Sequence, residues 1–122
     1  MDLSQITKTL VSEIKLTENQ AKIFLHIVIH GRMNTTQISN DLHISFDDAT
    51  QNSKKLVELG GFIDMPNDEF EAMHPRFTAV NMYRKMCERE QKQFKKNLDI
   101  DNIGVALEVS YDDARTKYNK KM

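Results

Sequence analysis

His26 and His30 stand four residues apart, a spacing that sets two imidazoles on one face of a helix and can hold a metal ion. Two ligands fall short of the tetrahedral set a structural zinc site needs, and no cysteine pair or acidic helper lies near them in sequence. The pair therefore reads as the exposed stripe of a buried helix. Cys87 is the one thiol; no internal disulfide can form, and among apolar neighbours a buried, inert thiol is the ordinary outcome. Only four glycines are present, and no phosphate-cradling loop, nucleophile motif or zinc signature occurs. The expectation is that the chain is not an enzyme and uses no cofactor and no metal. What remains is recognition chemistry. Gln51 can pair with adenine, and Lys54 or Lys55 can meet guanine or phosphate.

Those three residues need a helix to present them, and the sequence supplies one. Ser45 caps a helix with Asp47 and Asp48 in its first turn, where the dipole favours acids, and Gly60-Gly61 ends it. Ala49, Ser53 and Leu56 share one face, so Asp47, Gln51, Lys54 and Glu58 share the other, flanked by Thr50 and Lys55. Before it, Asn34-Thr35-Thr36-Gln37 has capping-box form and opens a short helix to Leu42, with Ile38 and Leu42 inward. The tight connection His43-Ile44 gives the two helices helix-turn-helix spacing.

The rest of the chain frames this pair. Leu3, Ile6, Leu10 and Ile14 predict an amphipathic helix over 3–14. Thr17 and Gln20 form another capping box, opening a helix to about His30 that is apolar on nearly every side except the stripe Lys22, His26 and His30. Gly31 is its natural stop. Phe62–Met65 and Glu69–Met73 read as strands joined by the turn Pro66-Asn67-Asp68, a hairpin or wing. A long helix is predicted over 79–97, with Val80, Tyr83, Cys87 and Phe94 as a seam that Glu90 interrupts. Ile100, Ile103 and Leu107 predict a further helix capped by Asp99, and 111–121 reads as a charged helical tail. The fold class is mainly α with a small β-hairpin wing: a winged helix-turn-helix with additional N- and C-terminal helices. Its parts are an N-terminal helix (1–15), the winged helix-turn-helix domain (16–78) and C-terminal helices that form a dimerisation region (79–122).

With 122 residues the chain fits one domain, and one cysteine suits a reducing compartment. No apolar run approaches the roughly 20 residues of a membrane span, and the first residues lack a signal-peptide layout. A cytoplasmic location and no membrane partner are expected. Net charge is −1, but its distribution is uneven. Between Asn34 and Arg76 the acids Asp41, Asp47, Asp48, Glu58, Asp64, Asp68, Glu69 and Glu71 face only Lys54, Lys55 and Arg76. From Arg84 to Lys96 the bases Arg84, Lys85, Arg89, Lys92, Lys95 and Lys96 face only Glu88 and Glu90. That basic stretch is either a second attachment point for a polyanion or a solvated helix with internal pairs such as Glu88 with Lys92.

Several segments also resemble a family, the TrmB-like transcriptional regulators of archaea. The similarity begins at Leu16-Thr17-Glu18-Asn19-Gln20-Ala21-Lys22-Ile23-Phe24-Leu25, its most specific block. It continues through Gly31, Thr36-Gln37-Ile38-Ser39 and Leu56 to Gly60, and resumes at Arg76-Phe77-Thr78-Ala79-Val80, ending near Glu90. The resemblance implies sequence-specific DNA binding, usually as a dimer, through the helix that Ser45 opens. Relatives often carry Pro-Arg near the start of that helix, followed by a Tyr; here Ser45, Phe46 and Thr50 stand at the matching positions, with Asp47 and Asp48 between. Full-length relatives add a sugar-binding domain; this chain is expected to be a short, single-domain member.

The expected partners are double-stranded DNA and a second copy of the chain. The DNA-binding residues are Thr35, Thr36, Gln37, Thr50, Gln51, Lys54, Lys55 and Arg76, the first three acting through backbone N–H groups at a helix start. The dimer contact is Val80, Tyr83, Cys87 and Phe94. The alternative is a winged-helix protein–protein interaction module that offers its acidic recognition face to a basic partner, without specific DNA binding.

Overall fold

Helix α2 (Glu18–His30) is the axle of the molecule. Thr17 and Gln20 close the capping box in both directions, at 3.1 and 3.0 Å. Ile23, Phe24, Leu25, Ile27 and Val28 are all buried, and beyond the first turn only Lys22, His26, Ile29 and His30 keep partial or full exposure. Gly31 ends the helix at φ 93°, paired with an extended ψ instead of the left-handed turn expected there.

The computed structural model describes residues 1–121. Helix α1 (Leu3–Glu13) lays Ile6 and Leu10 against α2. After α2 come a short strand β1 (Met33–Asn34), helix α3 (Thr35–Leu42) and helix α4 (Phe46–Leu59). Strands β2 (Ile63–Met65) and β3 (Glu69–Glu71) form the predicted hairpin. Asn67 and Asp68 turn it at φ 64° and 57°, a conformation that these two residue types tolerate. The strand β1 was not anticipated; it pairs antiparallel with β3, Met33 opposite Phe70, so the sheet has three strands in the order β1-β3-β2. The chain is therefore mainly helical with a small antiparallel sheet.

The C-terminal third departs from expectation. The long helix is shorter and starts earlier: α5 spans Pro75–Arg89, with Pro75 in its first turn. It stops where Glu90 interrupts the apolar seam. Gln91 takes the left-handed conformation at φ 55°, and Lys92 N–H returns to the Cys87 carbonyl at 2.8 Å. Phe94 is thus not on the helix. It folds back to 6.0 Å from the Tyr83 ring, with the Arg84 guanidinium 5.9 Å from its centroid. The expected Glu88–Lys92 pair is replaced by Lys92–Glu90 at 3.3 Å.

Helix α6 (Leu98–Lys121) runs unbroken through what was read as a helix and a tail. Its cap is Asn97 instead of Asp99, since Asn97 Oδ1 accepts the Asp99 N–H at 3.0 Å. Ile100, Ile103, Leu107, Tyr111 and Ala114 bury one side of α6 against α5, α2 and α1. Gly104 permits the α5 crossing: a Cβ there would lie 2.6 Å from the Arg76 Cα. The side of α5 expected to await a second copy is consequently covered within the chain. Cys87 is 1% exposed, and Val80 and Tyr83 pack against the core.

Candidate nucleic-acid interface

Two capped helices and one tight turn fix the geometry. Asn34 accepts the Gln37 N–H and Gln37 Oε1 accepts the Asn34 N–H, both at 2.9 Å, so α3 starts on a closed capping box. His43 then turns the chain in the left-handed conformation, φ 55° and ψ 43°. Ser39 fastens the turn: its hydroxyl donates to the Ile44 carbonyl at 2.6 Å, and its carbonyl accepts the Ile44 N–H at 3.2 Å. Ser45 caps α4 by accepting the Asp48 N–H at 3.0 Å. Ala49, Ser53 and Leu56 sit inward against α2 and α3, as their spacing predicts.

The opposite side of α4 presents Asp47, Gln51, Lys54 and Glu58 to solvent, with Asp48 and Lys55 flanking them, and Phe46 is exposed at the helix start. Much of its charge is already engaged. Gln51 Nε2 donates to Asp47 Oδ2 at 3.2 Å, and Lys55 Nζ lies 3.3 Å from Glu58. Lys54 makes no ion pair among the described residues. Thr50 is half-buried, its hydroxyl donating to the Phe46 carbonyl at 2.8 Å.

The remaining expected contacts fall in three places. Thr36 and Gln37 are exposed at the start of α3, although the Gln37 N–H is held by Asn34. Thr35 is buried; its hydroxyl reaches the Asp68 carbonyl at 3.4 Å and ties α3 to the hairpin turn, which leaves its backbone N–H as its contribution. Arg76 is not a free cation. Its guanidinium meets Glu108 of α6 at 2.9 Å, beside the Gly104 crossing.

Comparison with protein-family models, curated proteins and solved structures finds no match. The interface is therefore read on its own chemistry. The hairpin acids, which count against a polyanion, are partly turned away from it. Glu69 bonds Arg32 Nε at 2.8 Å, and Glu71 lines a cavity between β3 and α6. Desolvation works against the Arg32 charge, but the Glu69 hydrogen bond and nearby Tyr118 and Glu71 outweigh it, raising its pKa.

Two clusters test metal binding. His26 Nε2 bonds Asp41 of α3 at 2.8 Å, an acidic neighbour that sequence proximity did not reveal, and its ring lies 4.6 Å from that of His30. His74, Glu108 and Asp112 bring ligand atoms within 4.8 Å of one another, but Glu108 is held by Arg76, and His74 Nδ1 accepts the Arg76 N–H at 3.1 Å. Most of these groups are thus engaged with protein partners: His26 with Asp41, Glu108 with Arg76, and His74 with the Arg76 N–H.

Sequence reasoning missed Phe46 as a surface feature, although it is 57% exposed at the first turn of α4. Its position one residue after the cap was the available signal. It also missed Arg32, whose partner is 37 residues away and leaves no local trace.

Proposed function

We propose that the chain is a winged-helix DNA-binding transcriptional regulator, with α4 in the major groove and the β2–β3 hairpin along the neighbouring backbone. The observation that carries the reading is a rigid helix pair whose second member offers Gln51, Lys54 and Lys55 on one exposed side. Glutamine and lysine are groups that read purine edges. The pairing of Glu69 with Arg32 reduces repulsion at the hairpin, and the N-terminus of α3 offers backbone N–H groups to phosphate. The resemblance of the Leu16–Leu25 block to TrmB-like regulators points the same way.

The regulator acts as a dimer. Support comes from α6, where Leu98, Val105 and Val109 recur at helical spacing with exposures of 67%, 52% and 71%. A Val109→Glu variant that leaves a dimeric mass unchanged in sedimentation, or a wild-type mass that is monomeric at every concentration, would count against it.

One observation favours the second reading, a protein-interaction module. Phe46 stands exposed beside Asp47 and Asp48, an apolar and acidic patch suited to a basic peptide.

The deciding experiment is selection of bound fragments from genomic DNA with sequencing, repeated across a salt series. A discrete motif, lost on Gln51→Ala or Lys54→Ala, is the expected result. Weak binding without a motif, vanishing steeply with salt, would leave only nonspecific contact through Arg84 to Lys96 and turn attention to a protein partner of the Phe46 patch.

A further inference from the structure

A cavity of about 190 Å³ lies between the end of α2, strand β3 and the second half of α6. Its wall is apolar where Ile27, Val28 and Ala72 line it, all nearly inaccessible to solvent. Its polar lining carries both signs of charge. Arg32, Arg115 and Glu71 border the same space: Arg32 is already paired with Glu69 at 2.8 Å, whereas Arg115, exposed at the rim, and the half-buried Glu71 make no ion pair among the described residues. Arg115 is oriented from within α6: its Nη1 donates to the Tyr111 hydroxyl at 2.8 Å, the main cause of its raised pKa, and its other donors have no carboxylate partner among the described residues. The Glu71 carboxylate accepts no hydrogen bond among them either. An apolar-walled space with an unpaired guanidinium at its rim and an unpaired carboxylate on its wall can take a ligand of both signs at once.

We propose that this cavity binds a small zwitterion, a free α-amino acid with an apolar side chain. The carboxylate meets the open donors of Arg115, the ammonium meets Glu71, and the side chain lies on Ile27, Val28 and Ala72. A simple carboxylic acid would leave its charge facing Glu71, and a simple amine would face Arg32 and Arg115. A ligand carrying both charges a few atoms apart satisfies Arg115 and Glu71 together. The small volume limits the occupant to one metabolite of amino-acid size. An occupant would also tie the hairpin's return strand to α6. Binding of the amino acid is a property of the free protein and stands apart from DNA binding.

Isothermal titration calorimetry of the intact protein with L-leucine, L-methionine and L-phenylalanine tests it, alongside two analogues of leucine. These are 4-methylpentanoate, which lacks the ammonium, and leucinamide, which lacks the carboxylate. Saturable binding is expected for at least one of the three amino acids, with both analogues of leucine weaker than leucine by about tenfold or more. Arg115→Met should weaken leucine by a similar factor, about tenfold. Glu71→Gln should bring leucine down to the level of 4-methylpentanoate. No saturable heat with any of the three amino acids overturns the proposal. So does equal affinity for leucine and its single-charge analogues, or unchanged affinity in both variants. If Glu71→Gln fails to fold, the analogue comparison on the wild-type protein decides alone.

Discussion

Ser53 shows most clearly what single side chains do here. Its position four after Ala49 and three before Leu56 marks it as inward, and it is fully buried. Its hydroxyl has no hydrogen-bond partner, a cost that nothing nearby offsets. Ser53→Ala removes the orphan and improves helix propensity, so it should stabilise the protein by about 1 kcal/mol in urea denaturation. Cys87 is the opposite case, a polar-capable atom placed where it can do nothing. Buried on α5, it should resist a thiol reagent such as dithionitrobenzoate in the native protein and react at the rate of unfolding; prompt reaction would mean that its cover opens readily in the native state. At this scale legibility follows sequence distance. Thr17 with Gln20, and Asn34 with Gln37, are bonds three residues long and could be read directly. Arg32 with Glu69, Arg76 with Glu108 and His26 with Asp41 join distant segments, and nothing local announces them.

Elements follow the same division. Helices α1 to α4 were readable because each has a side-chain cap and an apolar face of the right period. The capping box of α3 should be worth about 1 kcal/mol, lost on Asn34→Ala in the same denaturation assay. Strand β1 was not readable, since two residues carry no period and exist as a strand only because β3 lies beside them. The length of α5 was misjudged because Phe94 continues its heptad spacing. A buried seam cannot accept Glu90, so the chain turns at Gln91 and delivers Phe94 to Tyr83 from outside the helix. The start of α6 brings a second close approach. Gly104→Ala would drive a methyl group into the Arg76 backbone and should cost about 2 kcal/mol, read as a lower urea midpoint with an unchanged slope. An unaffected midpoint would show that α5 and α6 are not held at this distance.

For the whole molecule, the unevenness of charge proved more informative than the net value of −1. In the linear sequence the middle segment looks uniformly acidic. In three dimensions Glu69 is neutralised, Glu71 faces a cavity, and Asp47 and Glu58 are engaged by Gln51 and Lys55, which leaves Lys54 as the cation of α4 without an ion pair among the described residues. The candidate surface was thus legible as a set of residues on one helix, with its pairs three and four residues apart; the engagement of Glu69 and Glu71 was not, because it depends on Arg32 and α6, distant in sequence. The same packing covers part of the α5 seam with α6, whose outer side exposes Leu98, Val105 and Val109. Among the described residues no helix is long and apolar enough to cross a membrane. The central claim is that α4 reads DNA with Lys54 and Gln51. Fluorescence anisotropy on a recovered fragment, across a salt series, tests it most directly. Lys54→Ala should weaken binding and reduce the slope of log affinity against log salt by about one, while Gln51→Ala should erase the preference over a scrambled fragment. If both variants bind with wild-type affinity, slope and preference, α4 is not the reading helix and the account is wrong.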